Sequence, residues 1–173
     1  MFAAIYLPDF YLQAALRHQP ELGAKPVALI DDQEKKAVII QLNAAAKETG
    51  VHIGMSPSQG LARCLQLVIK VRAHAQEKLL QDVLLHFAGT LAPYVEATAP
   101  GICTVQFTDG KNLKKQVARA VALLEEAGLI AQAGIAPTPD AGLLAAHLAK
   151  PVLEVANAKD FLASLPIETL AQV

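Results

Sequence analysis

The sequence predicts an α+β fold, a split sheet in βαββαβ order whose first connection is interrupted by a smaller α/β segment. Three observations lead there. The run Tyr94 to Phe107, YVEATAPGICTVQF, places two β-prone stretches on either side of the turn-forming pair Pro100-Gly101, which is a hairpin signal. Two long stretches of helical period bracket it, Gln76 to Leu91 and Lys111 to Ala127. Residues 8–71, which precede both, carry strand and helix signals of their own.

At 173 residues the chain has room for one core with an insertion. Apolar residues make up 53% and charged residues 18%, a globular balance and not a disordered one. A net charge of -1 gives no general attraction to nucleic acid, so any affinity for DNA must come from a local patch or from a partner. Cys64 and Cys103 are far apart and form no CxxC pair, which argues against a disulfide framework or zinc knuckle and suits a reducing, cytoplasmic setting. His18, His52, His74, His86 and His147 show no HxH or HExxH spacing, so no histidine metal site is expected. The N-terminal MFAAIYLPDF lacks a basic flank and its apolar run is too short for a signal peptide or a membrane span.

Taken in order, Phe2 to Leu7 is an apolar run closed by Pro8, a buried strand that ends where a backbone donor is lost. Asp9 reads as the N-cap of a helix over Phe10 to His18, ahead of Pro20. Pro26 to Ile30 and Ala37 to Gln41 form a second hairpin around the polar turn Asp31 to Lys36, with Lys35 and Lys36 at its tip. Asn43 caps a helix through Glu48 that Thr49-Gly50 stops. Ser56-Pro57 opens another, to about Leu65, and Leu67 to Val71 is a short strand.

Gln76 to Leu91 buries Leu79, Leu80, Val83, Leu84, Phe87 and Leu91 on one stripe. After the hairpin, Lys111 to Ala127 turns Leu113, Val117, Ala120, Val121 and Leu124 inward and Lys111, Lys114, Lys115 and Arg119 outward. A solvated face is the ordinary reading of those cations, and contact with a DNA backbone is the functional one. Leu129 to Ala136 is a strand, Pro137 to Asp140 a turn, and Ala141 to Lys150 an alanine-rich helix; the pattern weakens after Pro151 apart from a short helix near Lys159 to Ala163. With residues 8–71 set aside, this is the ferredoxin-like βαββαβ order, in which the first and third strands lie side by side in the middle. The expected domains are residues 1–7 with 72–173, and an insert over 8–71. The apolar tail SLPIETLAQV suggests a further region beyond Val173.

The order of PVALIDD, AVIIQLNAAAKETGVHIGMSPSQGLARC, YVEATAPGICTVQFTD and GIAPTPDAGLLAAHLAKP resembles the palm and fingers of Y-family translesion DNA polymerases over nearly the whole chain. The resemblance implies a palm with inserted fingers, and a thumb and C-terminal regions beyond 173. In active members the first strand ends in a magnesium-binding aspartate, and the matching residue is Tyr6, with Pro8 at the nearby second acid. The central Asp-Glu pair of the family falls on Gly101 and Ile102. The tyrosine and arginine that meet the triphosphate fall on Ala44 and Lys47, a helical lysine falls on Leu143, and the aromatic that screens the sugar is kept as Tyr11.

Two-metal phosphoryl transfer needs oxygen ligands, chiefly carboxylates, which Tyr6, Gly101 and Ile102 do not offer. The expectation is therefore a chain that is not an enzyme and that takes no cofactor or metal. A Y-family body without its acids is similar to ImuB-type subunits of bacterial mutagenesis complexes. That resemblance implies an adaptor in DNA repair and SOS mutagenesis that joins a RecA-like partner, the sliding clamp and an error-prone C-family polymerase, largely through C-terminal regions, with weak or partner-dependent DNA binding and no membrane. Two alternatives stand beside it. One is an active translesion polymerase with a displaced metal site drawing on Asp9, Glu96 or Asp109; the other is a ferredoxin-like domain of unrelated function.

Overall fold

Among the described residues there are strands β1 (Phe2–Tyr6), β2 (Val27–Ile30), β3 (Ile39–Leu42), β4 (Val68–Val71), β5 (Tyr94–Ala99), β6 (Ile102–Gln106), β7 (Gln132–Ala136) and β8 (Val152–Glu154), and seven α-helices. The helices are α1 (Phe10–Leu16), α2 (Ala44–Glu48), α3 (Pro57–Arg63), α4 (His74–Gly89), α5 (Leu113–Glu126), α6 (Pro139–Leu148) and α7 (Ala158–Ala163). This is a computed structural model, and it describes residues 1–31, 37–108, 112–167 and 169. Two units are present, Met1–Pro8 with Gln81–Val173, and Asp9–Leu80.

The larger unit is built on a five-stranded sheet in the order β5-β6-β1-β7-β8. β1 pairs antiparallel with β6 on one side and β7 on the other, so the first and third strands of the split motif do meet at the centre. Side chains directly opposite one another share a face and alternate along each strand. One face carries Ala3, Ile5, Cys103, Val105, Ala133 and Ile135, all fully buried. In this unit the second half of α4 and the whole of α5 remain to cover it, through Leu84, Ala88, Val117, Val121 and Leu124, which are also buried.

The other face carries Phe2, Ala4 and Tyr6 and is half covered by α6. That helix sits very close. A Cβ on Gly134 would lie 2.2 Å from the Gly142 carbonyl oxygen and 2.3 Å from the Ala146 nitrogen. Only glycine on β7 and small residues on α6 (Ala141, Gly142, Ala145, Ala146) allow the approach.

The smaller unit holds a three-stranded sheet in the order β3-β2-β4, with β2 antiparallel to β3 and parallel to β4. Ala28, Ile39, Leu42, Ala46, Val51 and Leu67 form its larger core cluster, and Leu12, Val27 and Leu29 a second one. Asn43 ties the unit together. Its Oδ1 accepts from the Val27 and Ala46 amides at 3.0 Å, and its Nδ2 donates to the Lys25 carbonyl at 2.6 Å. Ser56 and Gln59 make a reciprocal capping box at the start of α3.

Arg72 is the polar hub of this unit. Its guanidinium donates to Glu77 through Nε (3.0 Å) and Nη2 (2.6 Å) and to Asp31 through Nη1 (2.8 Å), and it lies 4.1 Å over the Tyr11 ring. The hydrogen bond to Glu77, and then that to Asp31, hold the cation more firmly protonated than usual against the opposing effect of burial.

Several local expectations need correction. Asp9 stands at the N-cap position of α1 but is left-handed (φ 47°) and its side chain makes no capping bond, because a cap reaches the first amides from extended backbone. Leu79 is exposed, and α4 instead buries Glu77, Leu80, Leu84 and Ala88; Glu77 goes inward because Arg72 meets it. α6 begins at Pro139, where the Thr138 side chain accepts from Ala141 N–H, so the expected turn is helix. β8 adds a fifth strand after Pro151, three residues long and parallel to β7, too short to show an alternation in sequence. A 3-10 turn over Pro20–Ala24 is likewise additional. Lys35, Lys36, Asp109 and Lys111 lie outside the described residues.

Candidate functional site

The bend of the central hairpin is fixed by backbone chemistry. Gly101 is left-handed (φ 75°), a conformation that favours glycine. Its N–H donates to the Gln81 Oε1 at 2.8 Å and its carbonyl accepts from the Leu7 N–H at 2.8 Å. Both backbone groups are therefore engaged, and the end of β1 is tied to the bend. Tyr6, the last residue of β1, pairs with Ile102 on one side and Gln132 on the other. Its half-buried ring stacks on His147 of α6, with ring centroids 4.0 Å apart and planes at 30°. Burial pulls the His147 pKa below the ordinary histidine value, favouring the neutral imidazole.

Away from α6 the same face is open. Tyr94 is 60% exposed, and Glu96, Thr98 and Gln106 are exposed beside it. A shallow depression of about 300 Å³ lies among Phe2, Tyr94, Glu96, Thr104, Gln106 and Pro139. The Thr98 and Thr104 hydroxyls share a hydrogen bond of 2.7 Å. Glu96 is the carboxylate here. It pairs with Thr104, which in turn faces Ala4, so two strand spacings, roughly 10 Å, separate it from β1.

The donor set bears on whether a divalent ion belongs at the bend. Magnesium takes oxygen ligands and one or two carboxylates. Tyr6 presents a phenol, the Gly101 carbonyl is already an acceptor for Leu7, and Ile102 has no side-chain donor. Among the described residues no three His, Cys, Asp or Glu side chains gather as a metal site would require. The groups present at the bend do not fit such an ion.

The remaining residues singled out in the sequence are dispersed. Ala44 and Lys47 are exposed on α2 of the smaller unit. Tyr11 is there too, half-buried on α1, with the Arg72 guanidinium over its ring. Leu143 lies on α6, half-buried, at the wall of an apolar cavity of about 720 Å³ with Leu144, Leu162 and Ile167. Lys114, Lys115 and Arg119 are exposed on α5, across the sheet from Tyr6. Sequence reasoning missed His147, Gln81 and Tyr94. For His147 a signal existed, since it follows Leu143 by one helical turn and so shares its side of the helix.

Among solved structures, the fold is similar to DinB from Sulfolobus solfataricus, with a TM-score of 0.83 and 17% identity over 98% of this chain and 53% of that one. An insertion ternary complex of Dbh DNA polymerase superposes with a TM-score of 0.83 and 16% identity, over the same shares. These likenesses establish the palm-and-fingers fold. In sequence, the chain is 26% identical over 172 residues to DNA polymerase IV of Ralstonia nicotianae, and 26% identical over 176 residues to DNA polymerase IV of Legionella pneumophila. Each alignment takes in 93% of this chain and 48% of the relative, so the chain spans about half the length of the curated relatives it matches.

These relatives correct the expectation that the chain is not an enzyme. The proteins that match it along nearly its full length are named as DNA polymerases, and nothing in the similarity marks a loss of catalytic residues. Substitution at Tyr6, Gly101 and Ile102 is too narrow a basis for inferring inactivity. The model of the impB/mucB/samB family matches residues 5–147, from the end of β1 through the hairpin to His147, and the chain belongs to that family of Y-family polymerase-like, translesion-synthesis domains.

Proposed function

We propose that the chain seats primer–template DNA for translesion synthesis, with the duplex lying on the open face of the five-stranded sheet. The observation that carries this reading is the uncovered β5–β6 half of that face, beside the bend where the family match runs through Tyr6 and Ile102. Tyr94 offers an aromatic surface there, and Thr98 and Gln106 offer hydrogen-bonding groups suited to sugar and phosphate. The smaller unit, taken by itself, offers exposed Lys47 as a cation suited to phosphate and Tyr11, with Arg72 over its ring, as an aromatic suited to a sugar. On the open face of the sheet, Glu96 is the glutamate among the described residues.

The finer reading places the chain in a bacterial damage-response assembly with a RecA-like subunit, a sliding clamp and an error-prone C-family polymerase. Its support is the sequence resemblance. Buried, unpaired Cys64 and Cys103 suit the cytoplasm, and no described helix is long and apolar enough to cross a membrane. Fluorescence anisotropy with a recessed primer–template tests the seat. Tyr94→Glu and Gln106→Glu are expected to weaken binding several-fold through repulsion of the backbone, while Lys114→Glu leaves it unchanged. Equal losses at both places, or none at the sheet, refute the reading. Primer extension by the same protein then measures nucleotide joining directly.

A further inference from the structure

Across the sheet from the bend, α4 and α5 leave a trough between them that the DNA-seating role does not use. One depression, about 430 Å³, is lined by Phe87 and Leu91 of the α4 side and by Gln116, Arg119, Ala120 and Leu123 of α5. A second, about 250 Å³, adjoins it through Leu91 and Gln116 and runs on to Asn112 and Phe107. From Asn112 to Leu123 the trough follows α5 for roughly 16 Å, the length of three helical turns.

Its floor and rim differ in chemistry. Phe87, Leu91, Ala120 and Leu123 give an apolar floor. Arg119 lines the wall, and Lys115 stands exposed one turn back along the same helix. Among the described residues neither of these cations has a carboxylate partner or a hydrogen bond. Two unneutralised positive charges beside an apolar trough, Arg119 and Lys115, favour an acidic, amphipathic segment, whose apolar side chains fill the floor while its carboxylates meet the rim.

A DNA duplex fits this place less well. It has no apolar ridge to enter the floor, and a duplex lying on the Tyr6 face is separated from α5 by the thickness of the sheet and the helix, about 10 Å or more. The cations on α5 are then available to something other than the DNA held on the opposite side.

We propose that the α4–α5 trough is a docking site for an acidic amphipathic helix of a partner protein, presented on the side of the palm opposite the DNA. The test uses the whole chain, labelled with nitrogen-15, and three probes. The first is a helical peptide of about fifteen residues with leucines on one face and glutamates along its flank; the second has lysines in place of the glutamates; the third is a short DNA duplex. The acidic peptide is expected to shift the amide signals of Phe87, Leu91, Arg119 and Leu123, and Arg119→Glu to weaken it at least fivefold while strengthening the lysine peptide. Leu123→Asn, a neutral change on the half-buried trough floor, should weaken both peptides alike. The proposal is overturned if the acidic peptide shifts other surfaces, if Arg119→Glu leaves its affinity unchanged, or if the duplex and not the peptide perturbs α5. Loss of DNA binding to the sheet face leaves this outcome untouched, so the two readings fail separately.

Discussion

Replacing Gly134 by alanine tests the packing that sets the geometry of the site. The added methyl would stand 2.2 Å from the Gly142 carbonyl oxygen, 2.3 Å from the Ala146 nitrogen and 2.7 Å from the Ala145 carbonyl carbon. Carbon and oxygen settle near 3.3 Å, so α6 must retreat by about 1 Å. All three obstructing atoms are backbone, and no side chain can rotate away. Overpacking costs about 1 to 3 kcal/mol where side chains give; with a rigid helix opposite, about 3 kcal/mol is the expected value. For a chain of this length that lowers Tm by roughly 6 to 12 °C. Gly89→Ala is the control, because a Cβ there meets nothing within 4 Å. Retreat of α6 also lifts His147 from Tyr6, so the Tyr6 ring signals should move in the same variant. A Gly134→Ala protein melting within 2 °C of the parent, roughly the resolution of the shift per kcal/mol, would refute the close-approach argument.

Three further outcomes follow from other parts of the structure. Arg72→Ala removes the guanidinium shared by the Glu77 and Asp31 carboxylates, whose side chains are only 9% and 15% exposed, and should cost about 2 kcal/mol in a urea melt after allowance for the partly exposed guanidinium. Arg72→Lys should recover less than half of that, since an ammonium cannot match the fork on Glu77 or stack on Tyr11; a lysine variant equal to the parent refutes the geometry. Burial holds His147 below the ordinary value of 6.5, so as pH falls through that value the unfolded chain binds a proton that the folded chain does not. Stability should therefore drop from about pH 6.5 down to the folded pKa and then level off; His147→Phe should flatten the step, and a profile unchanged in that variant assigns the effect elsewhere. Burial pushes the Cys103 thiol up to about 12, against a smaller opposing contact with the Ile5 backbone, so Cys103 should resist alkylation at pH 8 until the protein unfolds.

The fold was legible where local chemistry and tertiary packing agree. Asn43 and Ser56 cap as their residue types predict, and the buried stripe of α5 is the one its period names. The pairing of β1 with β6 followed from element order alone. Legibility failed where a partner distant in sequence decides. Glu77 is buried because Arg72 neutralises it, which periodicity cannot register. β8 exists because β7 offers an edge at Ala133 to Ile135, and three residues carry no pattern of their own. Of the site, the sequence revealed which residues stand at the bend, but not that Tyr6 is covered by His147 or that the cations of α5 lie on the reverse side.

Strand alternation puts the cations of α5 on the reverse side of the sheet. A one-residue offset along β1 separates Ile5, fully buried, from Tyr6, which faces α6 and the open surface. Every element packed on the Ile5 side, α5 included, is thereby assigned to the back of the palm, whatever charge it carries outward. A helix carrying exposed cations and the hairpin adjacent to it in sequence therefore belong to different surfaces, and charge patterning along the chain cannot merge them. The Gly134 variant and the Arg119 variant probe those two surfaces independently, since a shift of α6 leaves the α4–α5 trough on the far side of the sheet.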